Sequence, residues 1–275
     1  MKHHLKPRSY LRYSDDVVLL HEDPAQLLAW REQIQTFLAE RLRLTLTDPL
    51  ARPQPIRNGV DFLGYIVRPD YLLVRRRVVS RLKARLCTYE RRLVRPRPGH
   101  SVFRHDAAAL AQLRATWASY RAHLKMAHSH RLWDSLVSRS CWVRHFFTLE
   151  DGLLVPVMKI PPVFRRLKDQ YRFFAERFPH SLRLVQVGGF YECYDEQATW
   201  MSRVFGLSPL VQTRGFRVRC GVPVALGAQV VRSLAARGIG VAVIRETEGG
   251  PWLTGVKPRA LAVVWQPVAE GVERR

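Results

Sequence analysis

The sequence predicts an α+β fold whose two parts meet near residue 160. Residues 76–125 carry apolar side chains at helical spacing, whereas beyond residue 165 short β-branched runs alternate with helical stretches. The glycine and prolines between these regions indicate a connector. We therefore expect four segments, with a mixed α/β domain as the last: residues 1–75, 76–150, 151–164 and 165–268.

The first segment is predicted to hold a hairpin, a helix and a strand. Apolar runs flank the adjacent aspartates Asp15 and Asp16, which indicates a tight hairpin with acids at its tip. The pattern that follows predicts a helix over residues 24–40 and a strand over residues 42–47.

The second segment begins with a basic amphipathic helix. Residues 75–97 combine apolar side chains at helical spacing with a dense run of Arg and Lys, and Pro96 to Gly99 end the pattern. A further helix is expected after Asp106. The basic side chains expected to contact nucleic acid are Arg75, Arg76, Arg77, Arg81, Lys83 and Arg85.

The last segment is predicted to alternate strands and helices. Helices are expected over residues 168–178, 195–204 and 225–237. Strands are expected over residues 182–187, 190–194, 210–219 (two short strands), 239–244 and 261–265.

The charge balance points to a polyanionic partner. Lys and Arg total 45 against 23 acidic residues, a formal net charge of +22. Arg predominates, and its guanidinium suits bidentate phosphate contacts. Nucleic acid is the commonest partner of such a field. Two alternatives are a ribosome-associated protein and an Arg-rich composition that carries no function.

Nothing in the sequence predicts a membrane partner or a metal framework. No stretch approaches the roughly 18 uncharged apolar residues of a membrane span, and no apolar signal core follows the basic start. The four cysteines form no CxxC pair, which fits a reduced, cytoplasmic setting. The spacing of His123, His128 and His130 does not favour a metal site, so we expect surface or nucleic-acid-facing roles for them.

The carboxylates of Asp15 and Asp16 are candidate metal ligands. A turn lets neighbouring carboxylates serve one site, whereas adjacent residues on a strand point to opposite faces. Phosphoryl transfer uses such acids to hold Mg²⁺. The alternative is a solvated Asp-Asp turn between two strands.

The surrounding residues resemble reverse transcriptases of the group II intron and retroelement branch. Tyr13 to Asp16 is similar to their Tyr-x-Asp-Asp motif, Gly59 to Tyr65 to their primer grip, and Ser119 to Ala127 to a thumb motif. The resemblance implies a partial palm over residues 1–75 and a helical thumb over residues 76–150. It also implies an RNA-directed DNA polymerase activity with Asp15 and Asp16 as catalytic metal ligands.

One departure from that family argues against polymerisation by this chain alone. These polymerases need a third carboxylate from a strand upstream of Tyr-x-Asp-Asp, and no acidic residue precedes Asp15 here. The lysine often found between the two motifs is also not evident near Leu50 to Arg52. We therefore expect no polymerase activity, and a need for Mg²⁺ only if another chain completes the site.

Phe190 and Glu192 form the second candidate site. Residues two apart on a strand share one face, so the ring could wedge into a base step while the carboxylate bonds to the displaced base. The alternative is a core phenylalanine with a glutamate at a sheet edge.

The context of Phe190 resembles the N-terminal mismatch-recognition domain of the MutS repair proteins. Similar segments are Asp169 to Pro179, Val185 to Glu192, Cys220 to Pro223 and Val241 to Glu246. The resemblance spans about residues 165–268 and implies that Phe190 stacks on a mispaired base and Glu192 hydrogen-bonds to it. Gly189 replaces a usual Asp, and the phosphate-binding loop of the MutS ATPase is absent from the sequence.

Three hypotheses about function follow. The first is a binding module that holds a DNA or RNA–DNA duplex with its basic helix and reads distortion with Phe190 and Glu192. The second is one half of a split reverse transcriptase, completed by a separately encoded fingers–palm piece. The third is a decayed fragment without function, for which residues 1–75 would be unfolded.

Overall fold

The computed structural model describes residues 4–158, 164–247 and 256–268, and it confirms the α+β fold. The chain forms two compact units. Unit 1 holds Met1–Leu82 and Ala122–Asp134, and unit 2 holds Lys83–Arg121 and Ser135–Arg275.

Unit 1 contains a two-stranded hairpin, a helix and a three-stranded antiparallel sheet. Asp23 caps the helix by accepting a hydrogen bond from the Ala25 amide (2.8 Å), and Pro24 suits the first helical position. The expected hairpin is confirmed, with Tyr13 paired to Asp16. The elements are β1 (Ser9–Tyr13), β2 (Asp16–Leu20), α1 (Pro24–Phe37), β3 (Val60–Phe62), β4 (Tyr65–Val67) and β5 (Leu72–Val74).

The strand predicted over residues 42–47 is wrong. One π-helical turn, Leu38–Leu42, extends α1, and Arg43 ends it in the left-handed region (φ 53°). The Leu44 amide then donates back to the Leu38 carbonyl (3.0 Å). Because this helix end uses a backbone donor that a strand would need, the following residues have no regular structure.

Unit 1 has a small apolar core. Among its described residues, the buried apolar side chains are Trp30, Leu82 and Leu124. Large apolar side chains such as Leu11 (58% exposed) and Leu50 (80% exposed) stay in contact with solvent. Unit 1 therefore gains little from hydrophobic burial.

Unit 2 contains the larger sheet and most of the helices. Three helices contribute residues to both units: α2 (Arg76–Leu93), α3 (Ala107–Lys125) and α4 (His130–Arg139). The basic helix ends at Leu93, before the stop expected at Pro96, because Val94 enters a strand. The remaining elements are β6 (Val94–Arg97), β7 (His100–Arg104), β8 (Phe147–Glu150), β9 (Leu153–Pro156), α5 (Leu167–Arg177), β10 (Ser181–Val187), β11 (Phe190–Tyr194), α6 (Glu196–Phe205), β12 (Leu210–Thr213), β13 (Phe216–Pro223), α7 (Gly227–Ala236), β14 (Gly240–Glu246) and β15 (Arg259–Pro267).

The strands and helices predicted beyond residue 165 are confirmed, with ends shifted by at most four residues. They build a sheet of eight described strands in the order β12-β13-β11-β10-β14-β15-β7-β6. β10 and β14 are parallel, and the other neighbours are antiparallel.

Two strands of this sheet come from residues 94–104, a region expected to be helical and thumb-like. The β6–β7 hairpin pairs with β15, with Phe103 opposite Val264. This pairing satisfies backbone groups that β15 would otherwise expose along its edge. The compact units therefore group the residues differently from the four segments expected from the sequence.

Helices cover both faces of the sheet. On the α6/α7 face, strand residues such as Leu184 and Val241 pack with Met201 of α6 and Leu234 of α7. On the α5 face, residues such as Val185, Tyr194 and Ile244 pack with Phe174 of α5. The alternation of buried residues between the two faces follows the two-residue period of strands.

Candidate nucleic-acid interface

Phe190 stands at the first position of β11, directly after a glycine turn. Gly188 adopts φ 59°, a conformation that glycine reaches without steric cost, and Gly189 completes the turn. Phe190 then pairs with Val187 on one side and Pro223 on the other. Its side chain is 51% exposed, so the structure places it outward rather than in the core.

Glu192 lies on the same sheet face as Phe190 but points into the protein. Its side chain is 7% exposed. Arg219 donates to one carboxylate oxygen (2.6 Å), and the Tyr194 hydroxyl donates to the other (2.7 Å). Arg214, half-exposed, lies 3.7 Å from the oxygen that Arg219 contacts. A buried carboxylate needs such partners because its desolvation is costly.

The pKa of Tyr194 depends on the Glu192 carboxylate beside it. Burial, together with the hydrogen bond to Glu192 and the negative charge there, raises the pKa of Tyr194. The phenol therefore stays protonated and remains a hydrogen-bond donor to Glu192.

Basic side chains lie close to the turn that carries Phe190. Lys257 and Arg259 pair with Glu246, which accepts a hydrogen bond from the Gly188 amide, whereas Arg214 belongs to the β12–β13 turn at the Tyr194 end of β11. Helix α7 begins shortly after Pro223, the β13 partner of Phe190, so the partial positive charge of its N-terminus adds to that of the side chains. Such a field attracts phosphate groups.

Helix α2 presents a basic surface and an apolar one. Leu82, Leu86 and Leu93 are buried, whereas the predicted basic residues other than Arg75 are exposed. These exposed residues are Arg76, Arg77, Arg81, Lys83 and Arg85. The amphipathic helix is thus confirmed, and its exposed guanidinium and ammonium groups are free to face solvent or a phosphate backbone.

Arg75 and Arg85 also have partners within the protein. Arg75 forms an ion pair with Asp61 in unit 1. The Arg85 guanidinium lies over the Tyr120 ring in unit 2, 5.9 Å from its centre. Arg75 is therefore already engaged by a carboxylate, as is Arg92 near the end of α2, which pairs with Asp106.

Comparison with known proteins bears on the end of unit 2 that carries Phe190. Residues 165–267 match the family described as MutS domain I. The chain is also 31% identical over 110 residues to the DNA mismatch repair protein MutS of Thermus caldophilus. That match covers 39% of this chain and 13% of the relative, so the chain spans a small part of the length of the curated relative it matches.

The MutS domain I match contains site residues that sequence reasoning missed. Arg214 and Arg219 neutralise Glu192, and Arg259 forms an ion pair with Glu246 close to the Phe190 turn. The period-two alternation of β13 could have placed Arg219 on the face of Glu192, but only once the pairing of β11 with β13 was known.

Asp15 and Asp16 lie at the tip of the β1–β2 hairpin and are exposed. Ser14 turns the chain with φ 51°, and its hydroxyl lies 3.4 Å from an Asp15 carboxylate oxygen. In the described parts of the chain, no three His, Cys, Asp or Glu side chains come together as a metal-binding group. Asp15 and Asp16 are therefore adjacent carboxylates at an exposed turn, as the sequence predicted.

The primer-grip-like segment forms a tight hairpin. Leu63 (φ 51°) and Gly64 (φ 86°) make the two-residue turn between β3 and β4, and positive φ at both positions suits the strand twist. The Tyr65 hydroxyl donates to the His123 carbonyl (2.9 Å), and the two rings stack 4.3 Å apart.

The histidines divide into packed and exposed ones. His123 stacks on Tyr65, and His145 stacks on Phe103 at 3.8 Å, so neither of these two is a freely exposed nucleic-acid contact. His128 and His130 are exposed, as expected. In the three described ranges, no helix is both long and apolar enough to cross a membrane.

Proposed function

We propose that this chain binds duplex nucleic acid and that its MutS domain I-like segment recognises mismatched or distorted DNA. The observation that carries the proposal is Phe190, a half-exposed ring on a glycine turn close to Lys257 and to the N-terminus of helix α7. An exposed ring of this kind can enter a destabilised base step, where stacking replaces its contact with water.

The basic surfaces would supply affinity without sequence preference. Exposed Arg and Lys of α2, with Lys257 close to the Phe190 turn, suit contacts to phosphate oxygens. Contacts of this kind release condensed counterions, so binding weakens steeply as salt rises. Phe190 would then add discrimination between duplexes that the phosphate contacts cannot distinguish.

The Glu192 side chain is 7% exposed, so a displaced base would have to enter beside Phe190 to donate a hydrogen bond to the lone pair that Arg219 and Tyr194 leave unused. The neutralising arginines lower the electrostatic cost of placing a carboxylate near phosphates. A Glu192→Gln variant keeps one acceptor oxygen and replaces the other by a donor. We expect it to keep duplex binding and to lose part of the mismatch preference, whereas an unchanged preference would assign Glu192 to the fold alone.

Fluorescence anisotropy with labelled duplexes tests the role of Phe190. Base–aromatic stacking of about 1–3 kcal/mol predicts that Phe190→Ala weakens mismatch binding about 5- to 150-fold while matched-duplex binding changes little. Leu210→Ala is the matched control, because Leu210 has the same 51% exposure but lies on the edge strand. Equal binding of matched and mismatched DNA by the wild type, with a silent Phe190→Ala, would exclude the proposed recognition.

A second candidate function is one half of an RNA-directed DNA polymerase. The β1–β2 hairpin is apolar on both faces, with Leu11 and Leu20 exposed on one and Val17 on the other. An isolated hairpin is marginally stable, so these faces favour a polypeptide partner that packs on them. In this proposal the partner is a separately encoded fingers–palm piece, and Asp15 and Asp16 become Mg²⁺ ligands only in the assembled site.

Reconstitution tests the split polymerase. The full chain is mixed with the fingers–palm piece of a group II intron-type reverse transcriptase, and primer extension on an RNA template is measured in Mg²⁺ and in Mn²⁺. We expect extension in the mixture and its loss with Asp15→Asn/Asp16→Asn. Absence of extension under all these conditions would reject this function and leave the duplex-binding proposal untouched.

A further inference from the structure

Arg259 is a buried arginine that joins four elements beside the Phe190 turn. Its side chain is 4% exposed. The Nε group donates to the Gln186 carbonyl at the end of β10 (2.6 Å), and Nη1 donates to the Gln170 side chain of α5 (2.8 Å). Nη2 donates to Glu246 at the end of β14 (2.9 Å). One guanidinium thus ties β15 to β10, α5 and β14.

Glu246 links Arg259 to the Gly188–Gly189 turn. The carboxylate oxygen that binds Arg259 also accepts from the Gly188 amide (3.1 Å), and the other oxygen accepts from Lys257 (3.2 Å). Burial alone would raise the pKa of Glu246, but the Gly188 hydrogen bond and the charges of Lys257 and Arg259 hold it below its usual value. Glu246 is therefore ionised at neutral pH and available as an acceptor.

The Gly188–Gly189 turn has little packing of its own. A Cβ on either glycine would meet no atom within 4 Å. Two consecutive glycines in open surroundings have more conformational freedom than any other pair. The turn is held instead by three hydrogen bonds. The Gly188 amide donates to Glu246, the Gln186 side chain donates to the Gly188 carbonyl (3.2 Å), and the Val224 amide donates to the Gly189 carbonyl (2.9 Å).

A purely structural ion pair would not need to reach the turn. Buried ion pairs are commonly replaceable by apolar residues without loss of stability. The Gly188 amide is the contact that such a replacement cannot reproduce, because an apolar side chain offers no acceptor. The direction of Phe190 follows from the turn, since Phe190 is the next residue after Gly189.

We propose that Glu246 and Arg259 are positioning residues that fix the Gly188–Gly189 turn and thereby hold Phe190 in its outward orientation. The consequence for binding rests on the proposed mismatch recognition by Phe190. The pair sets the ratio of mismatched to matched affinity rather than the salt-dependent affinity for any duplex. Ordering the turn before binding saves the entropy that a free turn would lose in the complex.

The test compares two variants of the full chain. Glu246→Met/Arg259→Met removes the acceptor together with its buried counter-charge, so that no unpaired charge is left to unfold the protein. Glu246→Gln keeps an acceptor oxygen for Gly188. Thermal melting first establishes that both variants fold, and hydrogen exchange of the Gly188 amide then reports on the turn directly.

We expect the Gly188 amide to exchange about tenfold or more faster in the double variant and to stay protected in Glu246→Gln, since the side-chain acceptor is lost only in the former. The mismatched-to-matched affinity ratio should fall toward that of Phe190→Ala in the double variant only, with an unchanged salt slope. Unchanged exchange in a folded double variant overturns the inference, as does a wild-type affinity ratio in that variant. If the wild type shows no mismatch preference, the proposed function fails, while the exchange measurement still decides whether the pair holds the turn.

Discussion

Replacing Arg219 by leucine removes the guanidinium that neutralises the buried carboxylate of Glu192. The two side chains are 18% and 7% exposed, and their nearest atoms lie 2.6 Å apart. Breaking a buried pair by removing one partner costs about 3–5 kcal/mol, because the remaining charge is left without compensation. The half-exposed Arg214 can move toward Glu192 from 3.7 Å, but a solvent-exposed partner returns at most about 1 kcal/mol.

The expected net loss for Arg219→Leu is about 2–4 kcal/mol in the free energy of unfolding of unit 2. For a unit of this size, this corresponds to a fall of roughly 4–16 °C in melting temperature. The measurement is thermal unfolding at neutral pH, followed by circular dichroism. Arg214→Leu is the matched control, and it should cost less than about 1 kcal/mol because Arg219 still pairs with Glu192.

The double variant Glu192→Gln/Arg219→Leu distinguishes the stability lost through an unpaired charge from the stability lost through poorer packing. It leaves no unpaired carboxylate in the sheet, so it should melt above Arg219→Leu alone. The reasoning is refuted if Arg219→Leu melts within about 2 °C of the wild type. It is refuted equally if the double variant melts no higher than the single one, since the loss would then come from packing.

Three further predictions concern the rest of the chain. Burial lowers the pKa of His145 to about 4, and burial together with the neighbouring His145 lowers the pKa of His105 to about 3. The stability contributed by these neutral histidines should be full above the unfolded pKa near 6.5 and be lost as pH falls below it. Denaturant unfolding at pH 7, 5.5 and 4.5 checks this, and His105→Gln/His145→Gln should weaken the pH dependence. The thiols of Cys193 and Cys220 lie 3.3 Å apart in the core, and the hydrogen bond between them together with burial raises the pKa of Cys193. Iodoacetamide should therefore modify at most the two exposed cysteines of the folded protein and all four cysteines after unfolding. Mass spectrometry counts the modified cysteines. Limited trypsin digestion should cut unit 1 before unit 2 because so few of its apolar side chains are buried, and early cleavage within β10 to β14 would contradict the burial pattern.

Local patterns in the sequence were sufficient for the elements around Phe190. The two-residue period of strands put Phe190 and Glu192 on one face, and Gly188 with Gly189 marked the turn between β10 and β11. Helical spacing of apolar residues identified α2 and its basic surface. These features depend on neighbours within a few residues, which is why periodicity reveals them.

The two-residue period of a strand does not distinguish the exposed Phe190 from the buried Glu192. Both residues face the same side of β11, but Phe190 stands at the sheet end, whereas Glu192 lies where Arg219 and Tyr194 meet. Exposure along one strand face depends on what the neighbouring strands and helices cover. The sequence alone therefore left a core position open for Phe190 and did not predict the burial of Glu192.

The sequence by itself determined the mixed α/β character of residues 165–268 and the position of the aromatic residue at a glycine turn. Only the tertiary structure decided that the β6–β7 hairpin joins the same sheet and that Arg259 meets Glu246 beneath the turn. The physical reason is that strand pairing and buried ion pairs join residues far apart in the chain, such as Arg259 and Gln170. Backbone groups at a sheet edge accept many partners, and the choice among them depends on the packing of the whole unit rather than on any local pattern.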